Sequence, residues 1–305
     1  MLKRKFSSRN LATKFMKKYN PLFWDRRFLN FHPQLNVQEV KLNGNLNDDF
    51  SVVLELNEEA KEIRIPGPIT FGGFWPHNNF LGNFSEIFSN FMVMNQKFEL
   101  KEIKLPPGYF YPEIFEPQVN FFLDKYPNNF IFETNNHVNL SNWNFSKLSH
   151  GNRKKIKQFA NQNGQVRKAE LSEYEFCIDL LVQNRKNLGT NLSLTKNTIL
   201  DLMTNLPDVY TFYLAEIDSR ICSVALLVSL DEFVNYVLYW GDNLEFRHLS
   251  PVTSLFEELV KISISSHKLY LDLGISSLNG EINEGLYKYK KNLGSEDSKK
   301  YIFRL

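Results

Sequence analysis

The sequence predicts an α+β protein of two tandem lobes, each a mixed sheet flanked by helices. Three observations predict it. From Tyr210 to Gly241, three apolar runs are interrupted only by Asp218-Ser219-Arg220 and Asp231-Glu232, the pattern of three antiparallel strands joined by tight turns. Around them, segments with apolar residues at helical spacing carry start and stop signals and alternate with short strands. The two halves of the chain also follow one element order. This suggests an internal duplication argued from pattern, since no residue motif recurs between them. The composition turns polar from Trp143 to Ser149, which places the lobes at 1–145 and 146–305.

Bulk properties bound the function classes. A chain of 305 residues with 43% hydrophobic and 23% charged residues can bury a sizeable core and is not a disordered protein. A net charge of +2 argues neither for nor against a nucleic-acid partner. Cys177 and Cys222 are too few for a disulfide framework and read as buried thiols, which fits a reducing cytoplasm. No apolar run approaches the ~18–20 residues of a membrane span. The basic start, MLKRKFSSRNLATKFMKKYN, lacks the continuous apolar core of a secretory signal. It reads as a docked terminal helix with a solvated basic face. The alternative is an amphipathic helix in peripheral contact with an anionic membrane, with Leu11, Phe15 and Met16 on its apolar side. The expected localisation is cytoplasmic, with a membrane-peripheral alternative.

In the first half, Asn20-Pro21 is a turn signal, and Leu22, Phe23, Trp24, Phe28 and Leu29 form a short buried helix. Val37 to Leu42 and Phe50 to Leu56 alternate like strands, and Asn57-Glu58-Glu59 turns the chain into a third at Glu62 to Pro66. A glycine pair follows among aromatics, Phe71-Gly72-Gly73-Phe74-Trp75. Asn83 caps a helix to Gln96 whose Phe84, Ile87, Phe88, Phe91 and Met92 share one face. Phe98 to Leu105 is a strand. Glu116-Pro117 opens the next helix with proline at its first position. Phe130 to Glu133 is a strand, and Val138 to Leu140 adds a short one.

In the second half, a basic helix from His150 to Asn163 stops at Gly164, and Gln165 to Ala169 is a strand. Ser172-Glu173-Tyr174-Glu175 is a capping box for a helix to about Asn184, and Thr195 starts another that ends before Pro207. The three antiparallel strands come next. Ser250-Pro251 begins a helix to Ser266, Leu269 to Leu273 is a strand, Asn283 to Leu293 is a helix, and Lys300 to Phe303 is the last strand.

The second half, ordered β-α-α-β-β-β-α-β-α-β, matches the element order of the GNAT acyltransferase fold. Its residues sharpen the likeness. Asp272-Leu273-Gly274-Ile275-Ser276, Asn283-Glu284-Gly285-Leu286, Tyr289-Lys290 and Gly294 resemble the signature D-x-G-x-S, N-E-G-L, F-K, G. That signature belongs to the FemAB-like, double-GNAT acyltransferases of bacterial cell-envelope clusters. Phe71-Gly72-Gly73 resembles their first-lobe F-G-G, and Arg153 to Lys157 resembles their R-x-x-I-K helix. The resemblance implies two GNAT-like lobes and acyl transfer to an amine or hydroxyl of an envelope precursor. The donor it implies is acyl-CoA or, in some members, aminoacyl-tRNA. Two positions depart from the pattern. Tyr289 stands where Phe is usual, and Glu245 to Pro251 lacks the glycines of the pyrophosphate loop.

Acyl transfer needs a proton acceptor, a stabilised oxyanion and a protonated leaving group. Asp242, at the end of the strand FVNYVLYWG, is the candidate base, against the plainer reading of a turn aspartate. Tyr287 is the candidate acid. Tyr287 and Tyr289 lie two apart on a helix, so only one can face a site. Ser250, Pro251 and Val252 form a helix start that suits a donor phosphate, or simply a helix start. Phe71, Gly72, Gly73, Asp272, Gly274, Ser276, Asn283, Glu284 and Lys290 are the acceptor-binding candidates, with tight turns, a structural anchor and a solvated helix face as the respective alternatives. Arg153 is a candidate phosphate contact on a helix that otherwise reads as a solvated basic face. His77, His137 and His267 have no metal-ligand spacing, so no metal is expected.

The reading is a cytoplasmic acyltransferase of GNAT type. It carries an acyl group from a thioester (acyl-CoA or a carrier protein) to a small-molecule or lipid-linked glycan acceptor of surface polysaccharide synthesis. The alternatives are a FemAB-like transferase that takes an amino acid from tRNA to a peptidoglycan precursor, and a non-catalytic binding protein on a degenerate GNAT fold.

Overall fold

In a computed structural model of the protein, the described residues are 22–24, 26–29, 35–40, 50–67, 70–76 and 84–305. The expected amphipathic start, the Asn83 cap and His77 lie outside them. The chain separates into two compact units. One comprises the residues up to Thr134 together with Ser298–Leu305, and the other is Asn135–Asp297. The sequence reading divides the chain at 145/146. The compact units divide at 134/135, where the second half of one long strand enters the pairing of the second unit.

The first unit holds β1 (Leu35–Val40), β2 (Phe50–Asn57), β3 (Glu62–Ile65), β4 (Phe74–Pro76) and β5 (Glu99–Pro107). β2 pairs antiparallel with β1, β3 and β4, while β3 and β5 run parallel, so the sheet is mixed. The helix Phe84–Met94 buries Phe84, Ile87, Phe88 and Phe91, the face its spacing predicts. Those rings meet Phe74 and Phe122 edge to face, with centroids 5.2 Å apart for Phe74–Phe91 and for Phe88–Phe122. Such geometry sets the positive ring edge against the negative face. The next helix begins at Pro112, not at Glu116-Pro117, and Pro117 lies inside it. Pro112 supplies the helix-start proline, since it is the earlier residue with φ already set and no N–H to lose.

The second unit is built on β6 (Phe130–Asn139, of which Asn135–Asn139 belong here), β7 (Gln165–Lys168), β8 (Tyr210–Ile217), β9 (Arg220–Ser229), β10 (Val234–Asp242) and β11 (Tyr270–Ile275). Phe130–Asn139 forms a single strand where the sequence reading had two. The strand order is β6-β11-β10-β9-β8-β7, antiparallel except for β10–β11. β9 is buried from Cys222 to Val228, which explains its unbroken apolar run. The helix Pro251–Ser265 lays Leu255, Phe256, Leu259 and Val260 on the sheet. The helix Tyr174–Asn187 starts differently from expectation. A 3-10 turn, Leu171–Glu173, precedes it, and Glu173 rather than a serine cap receives the Glu170 N–H at 2.7 Å. Glu173 is held there by Arg167, which also pairs with Glu216. The last strand, β12 (Glu296–Arg304), is longer than its apolar core and pairs with β5 through Lys300–Arg304. No helix among the described residues is long and apolar enough to cross a membrane.

Candidate active site

The site forms where β10 and β11 part. Their parallel pairing covers only Val234↔Tyr270 to Tyr236↔Asp272. A bulge between Val237 and Tyr239 follows, and β10 continues to Asp242 without a parallel partner. The gap opens into a cavity of about 530 Å³ within the second unit. Trp240 and Asp242 of β10, Val252 and Thr253 of the helix Pro251–Ser265, and Tyr289 of the helix Glu284–Asn292 are among its walls.

Asp242 is fixed from two sides. Asn184 Nδ2 donates to its Oδ1 at 2.9 Å and to its carbonyl at 3.0 Å. Arg247 donates to both carboxylate oxygens, Nη2 to Oδ1 at 2.8 Å and Nε to Oδ2 at 3.1 Å. The hydrogen bond to Asp242 raises the Arg247 pKa further above its usual range. Gly241 makes the Asn184 contact feasible, because a Cβ there would lie 2.8 Å from the Asn184 Cγ.

Tyr289 faces the cavity and Tyr287 does not. The Tyr289 ring packs edge to face on Trp240, with centroids 5.9 Å apart, and its hydroxyl lies 3.4 Å from Thr253 Oγ1. Burial pushes its phenol up to about 12, with the Thr253 hydrogen bond opposing and Asp242 adding, so it stays protonated at neutral pH. Tyr287 donates to Asp297 Oδ2 at 2.7 Å, a bond that is the largest cause of the rise in its pKa. Its hydroxyl is thereby committed away from the cavity, which corrects the assignment of Tyr287 as the acid.

The other predicted residues divide by what they touch. Ser250, Val252 and Asn283 line the cavity, and Asn283 caps its helix by accepting the Leu286 N–H at 3.0 Å. Pro251 is buried in the helix start and Glu284 is exposed. The first turn of the Pro251–Ser265 helix is a poor phosphate cradle. Ser250 is left-handed with φ 52° and makes no side-chain cap, Pro251 has no N–H, and the Thr253 N–H is given to the Ser250 carbonyl. A CoA pyrophosphate therefore does not fit this turn in the usual way.

Asp272, Gly274, Ser276 and Lys290 form a buried network beside the cavity rather than in its wall. Asp272 Oδ1 accepts from Asn135 Nδ2 at 2.9 Å and from the Gly274 N–H at 2.7 Å. Gly274 takes φ 77°, a conformation that suits glycine. Ser276 donates to Asn136 Oδ1. Lys290 is 2% exposed and donates to the carbonyls of Gly274 at 3.0 Å and Ile275 at 2.7 Å. Burial pulls its ammonium down to about 7, against the attraction of Asp272 and with a further push from Arg185. The solvated-face reading of Lys290 is thus corrected. The helix presents it inward to anchor the turn after β11.

Phe71, Gly72 and Gly73 lie in the first unit's core. Phe71 is 2% exposed and packs on Phe23 and Phe110, the Gly72 N–H is given to the Lys104 carbonyl, and Gly73 lies against Phe115 and Leu105. A ring this enclosed has no face to offer a ligand, so the acceptor-binding expectation for these three is replaced by a packing role. Arg153 donates through Nη1 to the carbonyls of Ser146 and Leu148, which closes the turn before its own helix, and it does not line the cavity where a phosphate contact was expected. Sequence reasoning missed Asn184, Arg185, Trp240 and Thr253. The one local signal was Arg185, a helical arginine with no acidic residue three or four positions away.

Comparison with known proteins agrees with the fold. No protein-family model matches the chain, and no curated protein matches it. The structure is similar to that of FemX, with TM-score 0.69 and 11% identity over 98% of this chain and 96% of that one. It is also similar to a conserved protein of unknown function from Bacteroides thetaiotaomicron, with TM-score 0.61 and 15% identity over 97% and 96%. A third likeness is the C-terminal domain of a putative lysylphosphatidylglycerol synthetase from Agrobacterium fabrum, with TM-score 0.58 and 12% identity over 96% and 90%. The fold expected from the motifs, mixed sheets flanked by helices, is the fold observed, and FemX shares it.

Proposed function

We propose that this protein is an acyltransferase that moves an acyl group from an activated carbonyl donor to an amine, or a hydroxyl, of a cell-envelope sugar or lipid precursor. The observation that carries the reading is the cavity at the β10–β11 gap. There a fixed carboxylate and a protonated phenol both line the cavity of a FemX-like fold. Asp242 receives the proton of the attacking group, and Arg247 with Asn184 holds it in place to do so. Tyr289 donates a hydrogen bond to the negative charge that develops as the acyl bond to the donor breaks. Trp240 and Leu286 keep the reacting carbonyl in an apolar surround, where such hydrogen bonds are strongest.

A thioester donor is the first reading. The aminoacyl-tRNA reading gains support from two features: the poor phosphate cradle at Ser250–Val252, and the exposed Lys154 and Lys157 of the helix His150–Asn161. One experiment separates them. The purified protein is incubated with radiolabelled acyl-CoA or with charged tRNA, each with total envelope precursors, and label transfer is followed by chromatography. Transfer from acyl-CoA alone supports the thioester reading, and transfer from tRNA alone supports the other. Transfer from neither, under conditions where the protein is folded, rejects the acyltransferase.

A further inference from the structure

We propose that Arg185 forms an oxyanion subsite of this cavity, a fork for the carboxylate or phosphate group of the molecule that reacts there. The inference deepens the acyltransferase reading, since it takes the same cavity to be the reaction chamber. Arg185 lies in the last turn of the helix Tyr174–Asn187 and lines the cavity. Its Nε is buried and has no hydrogen-bond partner, and its guanidinium makes no ion pair among the described residues. A desolvated donor of a charged group without a partner is costly to keep.

The surrounding structure offers it no other role. The helix end is already closed without it, because the Arg185 carbonyl accepts the N–H groups of Leu188 and Thr190 and the Lys186 carbonyl accepts that of Gly189. Asp242 is the carboxylate among the residues that line the cavity, and its charge is already paired with Arg247. The cation on Arg185 is therefore left uncompensated. Lys290 adds to the positive field behind the wall, and the two cations disfavour each other. An anion at Arg185 relieves both. A planar guanidinium matches the oxygen pair of a carboxylate or phosphate. Trp240 and Leu188 supply apolar surface beside it for the remainder of the molecule.

The test is calorimetric titration of the full chain at low salt with inorganic phosphate and, separately, with acetate. Saturable one-to-one binding of at least one anion is expected. Arg185→Gln should weaken it ~10-fold or more, and Arg185→Lys, which keeps the charge but loses the fork, less than that. Lys97→Gln, at an exposed cation outside the cavity, should leave it unchanged. Binding of phosphate alone assigns a phosphate group, and binding of acetate alone a carboxylate. The subsite is overturned if neither anion binds the wild-type chain, or if Arg185→Gln folds and binds as well as wild type. Should the Gln variant fail to fold, the Lys variant decides, and undiminished binding there overturns the subsite. No acyl donor enters this measurement. Arg185-dependent binding without acyl transfer in any assay would reject the acyltransferase and keep the subsite. Transfer with unchanged KM values for both donor and acceptor in Arg185→Gln would do the reverse.

Discussion

Replacing Lys290 by Met should change how stability depends on pH, and the size of the change follows from the structure. Lys290 is buried, and its ammonium is drawn down to about 7 from an ordinary 10.5. Below pH 7 both the folded and the unfolded chain carry the proton, and the folded state bears the full cost of the buried charge. Between pH 7 and 10.5 the unfolded chain holds one proton more, so stability rises with pH by ~1.4 kcal/mol per unit from this group. Above 10.5 the two states match again. The Met variant lacks that rise. It also loses the bonds to the Gly274 and Ile275 carbonyls, which costs ~1–3 kcal/mol for each group left unsatisfied at every pH. At pH 6, relief of the buried charge offsets that loss and the two proteins should lie close. By pH 9 the wild type should have gained ~2–3 kcal/mol on the variant. Urea unfolding of both proteins at pH 6, 7, 8 and 9, followed by tryptophan fluorescence, measures the gap. Other titrating groups are common to both and cancel. A gap constant to within ~0.5 kcal/mol across that range would refute the claim that a buried, depressed lysine anchors this turn.

Tyr289→Phe should lower kcat by ~10²-fold or more in the transfer assay with little change in thermal midpoint, because its hydroxyl meets only Thr253 at 3.4 Å in the resting protein. Tyr287→Phe, which loses only the bond to Asp297, should leave kcat within a few-fold of wild type, and an equal loss in both variants would contradict the assignment. Asp242→Asn should slow turnover and cost only ~1 kcal/mol in urea unfolding, since the Arg247 side chain is 48% exposed and solvent screens the pair. Gly241→Ala should cost ~1–3 kcal/mol and lower activity, since its methyl would displace Asn184 from Asp242, and an unchanged Tm would show that the contact gives way freely.

The sequence by itself determined most of the elements and their order. Alternation, helical spacing and turn residues act within a few positions, and such short-range signals already specify β8, β9 and β10, the Phe84–Met94 face and the stop at Gly164. They also carried the FemAB-like resemblance, concentrated between Asp272 and Gly294. Only the tertiary structure decided what those residues do. Tyr287 and Tyr289 are equivalent in sequence chemistry, and Asp297 and Trp240 separate them. Lys290 sits among Lys288 and Lys291 and differs only in the carbonyls that enclose it. Arg153 is one cation in a basic run until Ser146 and Leu148 claim it, while Arg185 has no such claim. Asn184 and Asp242 meet across 58 positions. Desolvation and charge pairing depend on which distant groups arrive at a side chain. The β10–β11 gap, where the two strands stop pairing, gathers them.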